Sequence, residues 1–229
     1  MQIEEVHQKL QTIGKEALPL LPQFKEKESY ACIDLSIGHE VSHTFDLSKQ
    51  SELAAFVEQE MKRLQVPVLW GGYLEQRHLY SGSEIFRAGK LPRDIHLALD
   101  FWAEAGTEVS APIPGTVHSF KLNPGNKDYG PTIILAHNLA GLHFHTLYGH
   151  LAAADLPKLE VGMPIQAGEI IGHLGNESEN GHWSPHVHFQ VMLKMYGKKG
   201  DFPGVCSRNE LELMRKNCPD PTFLLRPVG

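Results

Sequence analysis

Hydrophobic spacing divides the chain into two parts that meet near residue 68. In the first part, apolar residues recur every three or four positions, which predicts a short helix over residues 3–13 and a second helix from about Lys49 to Leu64. Ser48 is predicted to be the N-cap of the second helix, because a serine hydroxyl accepts a hydrogen bond from a free N–H group of the first turn. Residues 30–37 predict a strand.

From Val68 onward the apolar runs become short and are separated by glycine and proline. This spacing is typical of an all-β segment with many short strands. The clearest runs are HLALDFW at 96–102, GTVHSFKL at 115–122, PTIILAH at 131–137, HFHTLYGH at 143–150, EIIGHLG at 169–175 and HVHFQVML at 186–193. We therefore predict a mainly β fold with many short strands, in a domain that covers residues 68–200.

The segments on either side of this domain are smaller. Residues 1–67 predict an α+β N-terminal extension, and residues 201–229 predict a C-terminal helix and tail, with the helix at 209–217. Residues 107–117 and 161–171 both have the pattern strand, turn, strand. The β domain therefore contains a loose internal repeat.

Composition excludes several classes of function. The 229 residues suffice for one domain with an extension or two small ones, and a net charge of -6 without a basic run argues against nucleic acid as the main partner. No run of eighteen apolar residues occurs, so no membrane span is expected. The N-terminal residues lack the apolar block of a secretory signal, which predicts a cytoplasmic protein and leaves export by another route open.

Cysteine and histidine give the candidate chemistry. Cys32, Cys206 and Cys218 have no CxxC spacing and are predicted to be free thiols; a disulfide or metal role for the last two is a minor alternative. The chain has fourteen histidines, and histidine is the commonest metal ligand at neutral pH. Two groups of histidines are candidates for a metal site.

The first candidate is the HExxH sequence from His39 to His43, with Glu40 between them. On a helix, this spacing directs both histidines to one zinc ion and the glutamate to its water. Here Gly38 precedes the motif, and the β-branched and polar residues around it favour extended chain over helix. We therefore interpret it as a strand or loop with two exposed histidines.

The second candidate combines His96 and Asp100 with His186 and His188. Side chains two or four residues apart in extended chain lie on the same face, so each pair points one way. Two histidines, one carboxylate and an open position for water are the ligand count of a catalytic zinc site. Spacing alone leaves open which of the three histidines is not a ligand, and His150 adds a further histidine in the same β-rich region.

These residues resemble the lysostaphin/LytM-type zinc metallopeptidases. The family pattern is HxGxD, then a Tyr-x-His segment, then GPHLHFEV or a similar sequence. The corresponding sequences here are HLALD at 96–100, LYGHL at 147–151 and SPHVHFQV at 184–191, with APIPGTV and VGMPIQAGEIIGHLGN between them. The resemblance covers about residues 68–200. Ala98 departs from the pattern, because the family has glycine there, and this puts full activity in doubt if the glycine needs a positive φ or a close approach of substrate.

The resemblance implies a barrel-like, mostly antiparallel duplicated hybrid motif with its site in an open groove. It implies a zinc metalloendopeptidase that cleaves peptide bonds in peptidoglycan cross-links or related small peptides, through a zinc-activated water. The residues implied are His96, Asp100 and His188 as zinc ligands, and His150 and His186 as catalytic histidines. Apart from the resemblance, the aromatic residues near these positions are candidate substrate-binding residues that line the groove, or they pack through their rings; they are Tyr129, Tyr148 and Trp183.

Two other interpretations stay open. The chain could be a metal-binding regulator without activity, or a carrier-type module on the same fold with a phosphorylated histidine or a modified lysine. A carrier has no use for a carboxylate and a histidine that share a metal. Residues 1–67 could also cover the groove as a built-in inhibitor.

Overall fold

The computed structural model describes residues 2–39, 44–80 and 91–225. Its α-helices with described bounds are α1 (Ile3–Gly14), α2 (Gln50–Leu64) and α3 (Leu211–Asn217), and short 3-10 helices also occur. The strands are β1 (Tyr30–Cys32), β2 (Val68–Gly71), β3 (Ile95–His96), β4 (Leu99–Trp102), β5 (Glu108–Ser110), β6 (Gly115–Asn123), β7 (Gly130–Leu139), β8 (Leu142–Gly149), β9 (Pro164–Ile165), β10 (Ile170–His173), β11 (His186–Met192) and β12 (Val205–Cys206). The mainly β fold predicted from the sequence is confirmed.

An eight-stranded sheet forms the centre of the fold. Its strand order is β1-β2-β4-β11-β8-β7-β6-β9, and two small sheets pair β10 with β5 and β12 with β3. The first pair, β1 and β2, is parallel, whereas the other pairs are antiparallel. The sheet is open rather than barrel-like, because its terminal strands β1 and β9 are not paired with each other.

The internal repeat corresponds to two structural units that pair with each other. Strand β5 of the first unit pairs with β10 of the second, with Ser110 opposite Ile170. Strand β6 of the first unit pairs with β9 of the second, with Gly115 opposite Ile165. The two similar sequences are therefore neighbours in the fold as well as repeats along the chain.

The main hydrophobic core joins the sheet to both ends of the described chain. Leu10 of α1 and Leu224 of the tail pack in the same cluster as Phe101, Ile133 and Phe189 of the sheet. Burial of such side chains is the main force that holds these segments together. The three segments predicted from the sequence therefore share one core, and the boundaries between them stay a prediction.

A second core cluster places α2 beside the sheet near β4. Leu53 and Phe56 of α2 pack with Leu69, Trp102 and Trp183. The predicted helix is therefore present, and its apolar face covers two tryptophans that also reach the candidate site.

Two local predictions are wrong in detail. Ser48 does not cap α2, which begins at Gln50 with Lys49 as its N-cap. Instead Asp46 Oδ1 accepts hydrogen bonds from the Ser48 hydroxyl at 2.6 Å and from its backbone N–H group at 3.2 Å. The Ser48 side chain therefore stabilises a turn that precedes the helix. The strand predicted over 30–37 ends at Cys32, and Asp34 accepts the Ser36 N–H group in a turn of the same kind.

None of the helices in the described ranges has the length and hydropathy that crossing a membrane requires. The three cysteines are free thiols, with Cys32 exposed and the other two, Cys206 and Cys218, buried.

The buried His137 on β7 should make the stability of the fold depend on pH. Its Nδ1–H group donates to the Pro114 carbonyl at 2.9 Å, its Nε2 lies 2.8 Å from Thr146 Oγ1, and burial lowers its pKa to about 4. An unfolded histidine has a pKa of about 6.5, so between these values the unfolded chain binds the extra proton. The stability from His137 is complete above about pH 6.5 and falls by roughly 3 kcal/mol by pH 4.

Denaturant unfolding from pH 7 to pH 4 would measure this loss. A His137→Gln variant should lose less stability over the interval than the wild type. The matched control is His143→Gln, which changes an exposed histidine on the neighbouring strand β8. Identical pH profiles for His137→Gln and the wild type would contradict the prediction.

Candidate metal centre

Three strands bring the candidate ligands together. His96 ends β3, Asp100 lies on β4, and His188 lies on β11 directly opposite Asp100. Residues opposite each other in an antiparallel pair share one face and have close Cβ atoms. Val187 and Phe189 point into the main core, so the even spacing predicted from the sequence is present.

The ligand atoms are spaced as the edges of a tetrahedron around an ion. His96 Nε2 lies 3.1 Å from His188 Nδ1 and 3.4 Å from Asp100 Oδ1, and His188 Nδ1 lies 3.3 Å from the same oxygen. A tetrahedral zinc ion with ligand bonds of about 2.0–2.1 Å separates neighbouring ligand atoms by about 3.3 Å. Within the described residues, these three form the one group of at least three metal-ligating side chains that could hold an ion.

Hydrogen bonds hold the ligand atoms that point away from the cluster, and the atoms that face one another stay free for a metal ion. The Nδ1–H group of His96 donates to the Gly72 carbonyl at 3.0 Å, and Arg77 Nη1 donates to Asp100 Oδ2 at 2.6 Å. No group of the described residues donates a hydrogen bond to the buried Asp100 Oδ1. A buried carboxylate oxygen without a donor is costly unless a cation lies against it. The donor set therefore fits a divalent metal ion.

The electrostatics favour the deprotonated state that a metal requires. Burial, helped by the positive charge of Arg77, lowers the pKa of His96 to about 4. Burial opposes ionisation of Asp100, but His96 and Arg77 outweigh it and hold the pKa of this carboxyl well below its usual value. At neutral pH the site therefore presents neutral His96 and a carboxylate, as metal binding needs.

Two further histidines lie beside this cluster. The rings of His150 and His186 are 4.3 Å apart, and His186 Nε2 lies 3.9 Å from Asp100 Oδ1. Each donates its Nδ1–H group to a backbone carbonyl, His150 to Asn180 at 2.9 Å and His186 to Ser184 at 2.7 Å. Burial lowers both pKa values, so at neutral pH each ring is neutral with a free lone pair on Nε2.

His150 is also held in an uncommon backbone conformation. It directly follows β8 with a φ of 63°, in the left-handed region that residues other than glycine rarely adopt. Such conformations persist where the surrounding structure imposes them, and they cluster at functional sites. The turn directs the ring towards His186.

The site lies in a cavity of about 220 Å³. The five residues His96, Asp100, His150, His186 and His188 are at most 5% exposed. The open groove implied by the resemblance stays a prediction. Residues from several segments of the chain line the cavity. They include Leu53, Leu79, Tyr80, Lys127, Tyr129, Trp183 and residues 202–205.

Two of the three predicted substrate residues reach this cavity. The Tyr129 hydroxyl lies 3.3 Å from His188 Nε2, and the Trp183 ring lies 6.2 Å from the ring of His150. Tyr148 does not reach it, since it is fully buried in the main core and packs against Phe189 at 5.3 Å. We therefore no longer assign Tyr148 to the substrate.

The departure at Ala98 has no backbone cost. Ala98 is fully buried and does not have a positive φ. The methyl group therefore fits without the strain that a left-handed conformation would impose, and the doubt raised by the missing glycine loses its conformational basis.

The competing HExxH motif is only partly described. Glu40, Val41, Ser42 and His43 lie outside the described residues. His39 lies in a bend, where its N–H group donates to the Ser36 carbonyl at 3.1 Å.

Sequence reasoning missed the residues that support the ligands. Arg77 is 1% exposed and pairs with Glu75 as well as Asp100, and Gln190 contacts His188. A signal for Gln190 was available, because it lies two residues after His188 in a strand and shares its face. No local pattern indicates Arg77, which is 23 residues from its partner Asp100.

Gly204 should be required for packing around His188. A Cβ atom at this position would lie 2.1 Å from the Tyr129 hydroxyl and 3.0 Å from His188 Cε1. Gly204→Ala should therefore lower the free energy of unfolding by about 1–3 kcal/mol, as overpacking of a tight core does. In a Tyr129→Phe background the closest atom is absent, so the loss should be smaller. Denaturant unfolding of the four chains measures this, and an equal loss in both backgrounds would refute the assigned contact.

Comparison with known proteins links this site to one family. The model of peptidase family M23 matches residues 94–201, a range that contains the three candidate ligands and both further histidines. This match confirms the resemblance inferred from the sequence. No curated protein matches the chain.

Solved structures give weaker likenesses. The catalytic domain of the antimicrobial peptidase lysostaphin from Staphylococcus simulans is 25% identical over 53% of this chain and 80% of its own, with a TM-score of 0.36. A zinc-containing peptidase from Vibrio cholerae is 25% identical over 43% of this chain, with a TM-score of 0.35, and the chain spans only 27% of its length. The catalytic domain of the prophage-encoded M23 protein EnpA from Enterococcus faecalis, solved as a point mutant, is 23% identical over 50% of this chain and 83% of its own, with a TM-score of 0.36.

Proposed function

From the match of the peptidase family M23 model to residues 94–201, we propose that the chain is a zinc-dependent metalloendopeptidase. The observation that carries the proposal is the convergence of three ligand atoms from His96, Asp100 and His188 at separations of 3.1–3.4 Å. Two imidazoles and a carboxylate are a ligand set that suits zinc. Bound zinc would polarise the scissile carbonyl and make water acidic enough to react near neutral pH.

His150 and His186 would manage the protons of the reaction. Both rings are neutral, their Nδ1–H groups are used by backbone carbonyls, and each Nε2 is free to accept a proton. One ring would take a proton from the attacking water and pass it to the leaving amine. The other, when protonated, would stabilise the negative charge that develops on the carbonyl oxygen. The 4.3 Å between the rings lets both act on one substrate carbonyl.

The cavity favours a short peptide with small side chains as the substrate. Its volume of about 220 Å³ is below the roughly 300–1,000 Å³ of common small-molecule pockets. Tyr129 and Trp183 line the cavity and can pack against the peptide. Glycine- or alanine-rich peptides, such as peptidoglycan cross-links or fragments of them, therefore fit the proposal best.

The carrier alternative is not favoured. A carrier presents its modified residue on an exposed turn so that a partner enzyme can reach it. The candidate histidines here are at most 5% exposed and converge on a carboxylate. Burial of this kind suits a metal centre better than a site of transient modification.

Cleavage assays with a chelator would test the proposal. The purified chain, loaded with zinc, should cleave members of a panel of glycyl peptides, alanyl peptides and muropeptides, with products identified by mass spectrometry. A chelator such as 1,10-phenanthroline should stop cleavage, and added zinc should restore it. Bound zinc without chelator-sensitive cleavage of any panel member would contradict the peptidase and favour the regulator.

A further inference from the structure

The four histidines of the site are oriented by hydrogen bonds, and one of them differs from the rest. His96, His150 and His186 each donate Nδ1–H to a backbone carbonyl, which leaves Nε2 free. His188 is reversed, because its Nδ1 faces the other ligand atoms. Its outer atom is Nε2, which lies 3.0 Å from Oε1 of Gln190, a side chain rather than a backbone carbonyl.

The orientation of the Gln190 amide is determined by its other contacts. Gln190 is fully buried, and its Nε2 group donates to the Pro203 carbonyl at 3.1 Å and to Cys218 Sγ at 3.3 Å. A carbonyl oxygen can only accept, so the NH₂ group must face Pro203. The amide oxygen then faces His188 and accepts its Nε2–H group, and the lone pair of His188 lies on Nδ1.

The groups that hold Gln190 lie in the C-terminal segment 203–218, beyond the part of the chain that matches the peptidase family. The same segment contacts the ligand strand directly, because Leu97 N–H donates to the Gly204 carbonyl at 2.9 Å and β12 pairs with β3. A segment outside the matched region therefore reaches a ligand atom through one buried side chain.

We propose that Gln190 is a positioning residue of the metal centre. Held by Pro203 and Cys218, it fixes the tautomer and ring orientation of His188, so that Nδ1 is the binding atom. This inference rests on the zinc centre proposed above. Outer hydrogen-bond partners of metal-bound histidines typically change metal affinity 10–100-fold when they are lost.

Two substitutions separate this role from simple packing. Gln190→Met removes the acceptor for His188 but keeps a similar shape without charge. Gln190→Glu keeps an acceptor for His188 but adds a buried charge and places an oxygen against the Pro203 carbonyl. A positioning role predicts that methionine lowers zinc affinity more than glutamate does. A merely structural role predicts the opposite order, because a buried unpaired charge destabilises a core more than an isosteric apolar group.

Zinc affinity should be measured by competition with a chromogenic chelator, together with the melting temperature of each chain. We expect Gln190→Met to bind zinc 10–100-fold more weakly than the wild type, and Gln190→Glu to stay closer to the wild type despite a lower melting temperature. Affinity losses that follow the melting temperatures, or a methionine variant that binds as well as the wild type, would overturn the inference. A wild type that binds no zinc would instead overturn the centre itself, and this inference with it.

A measurement on the wild type alone covers the case in which the methionine variant does not fold. Long-range ¹H–¹⁵N NMR spectra of the metal-free protein at neutral pH distinguish the two histidine tautomers. We expect the proton of His188 on Nε2 and those of His96, His150 and His186 on Nδ1. A proton on Nδ1 of His188 would overturn the inference. The absorption bands of the Co²⁺-substituted protein should lie at the same positions in the wild type and in Gln190→Glu.

Discussion

Replacing His96 with alanine should remove zinc binding and lower kcat/KM for peptide cleavage by roughly 10³-fold or more. His96 is 1% exposed, and its Nε2 is one of three ligand atoms within 3.4 Å of one another. With one ligand lost, the remaining histidine and carboxylate hold the ion poorly. A bound zinc ion would supply several kcal/mol of transition-state stabilisation, and each 1.36 kcal/mol corresponds to a factor of ten in rate.

Metal analysis of the purified variant and kinetics on the best peptide substrate would measure both effects. His143→Ala is the matched control, because it removes an exposed histidine from β8 outside the site. Circular dichroism should show that both variants keep the β-rich fold. Equal zinc content in His96→Ala and the wild type would show that the metal is bound elsewhere, with the HExxH sequence at 39–43 as the next candidate.

Replacing His150 with alanine should lower kcat about 10²–10⁴-fold while zinc stays bound, as expected for loss of a general acid or base. His150 is not part of the ligand group, and its ring lies 6.2 Å from the ring of His188. Its proposed role in the reaction is proton transfer or charge stabilisation through Nε2. Substrate binding should change little, so KM should stay within a few-fold of the wild type.

His182→Ala is a matched control for this variant. His182 also has a positive φ, 65° against 63° for His150. Replacing either residue with alanine therefore has a similar effect on backbone strain. Its side chain is exposed, however, and it is not among the residues that line the cavity. A His150→Ala variant that loses zinc, or that keeps the kcat of the wild type, would contradict the proton-transfer role.

Much of the fold and of the metal centre could be predicted from local spacing. The long strands β6, β7, β8 and β11 follow the short apolar runs of the sequence closely. Successive side chains of a strand alternate between its two faces. The same alternation predicted that His186 and His188 share one face. The resemblance then supplied the assignment of His188 as a ligand and His186 as its catalytic neighbour.

Tyr148 shows where alternation fails. Tyr148 and His150 are two residues apart, so an uninterrupted strand would place both on one face. β8 ends at Gly149, and His150 turns into the left-handed region, which sends its ring to the site while Tyr148 stays in the core. A local sequence does not indicate this turn, because histidine adopts such a conformation only when the surrounding structure imposes it.

The sequence by itself determined the β architecture, the two helices near the N-terminus and the shared faces of the candidate ligands, because these depend on spacing along a single segment. Only the tertiary structure decided which groups complete the site. Arg77 on Asp100, the Gly72 carbonyl on His96 and Gln190 on His188 come from separate segments. Their hydrogen bonds select the atoms left for the metal, and such bonds form only when distant parts of the chain are packed together.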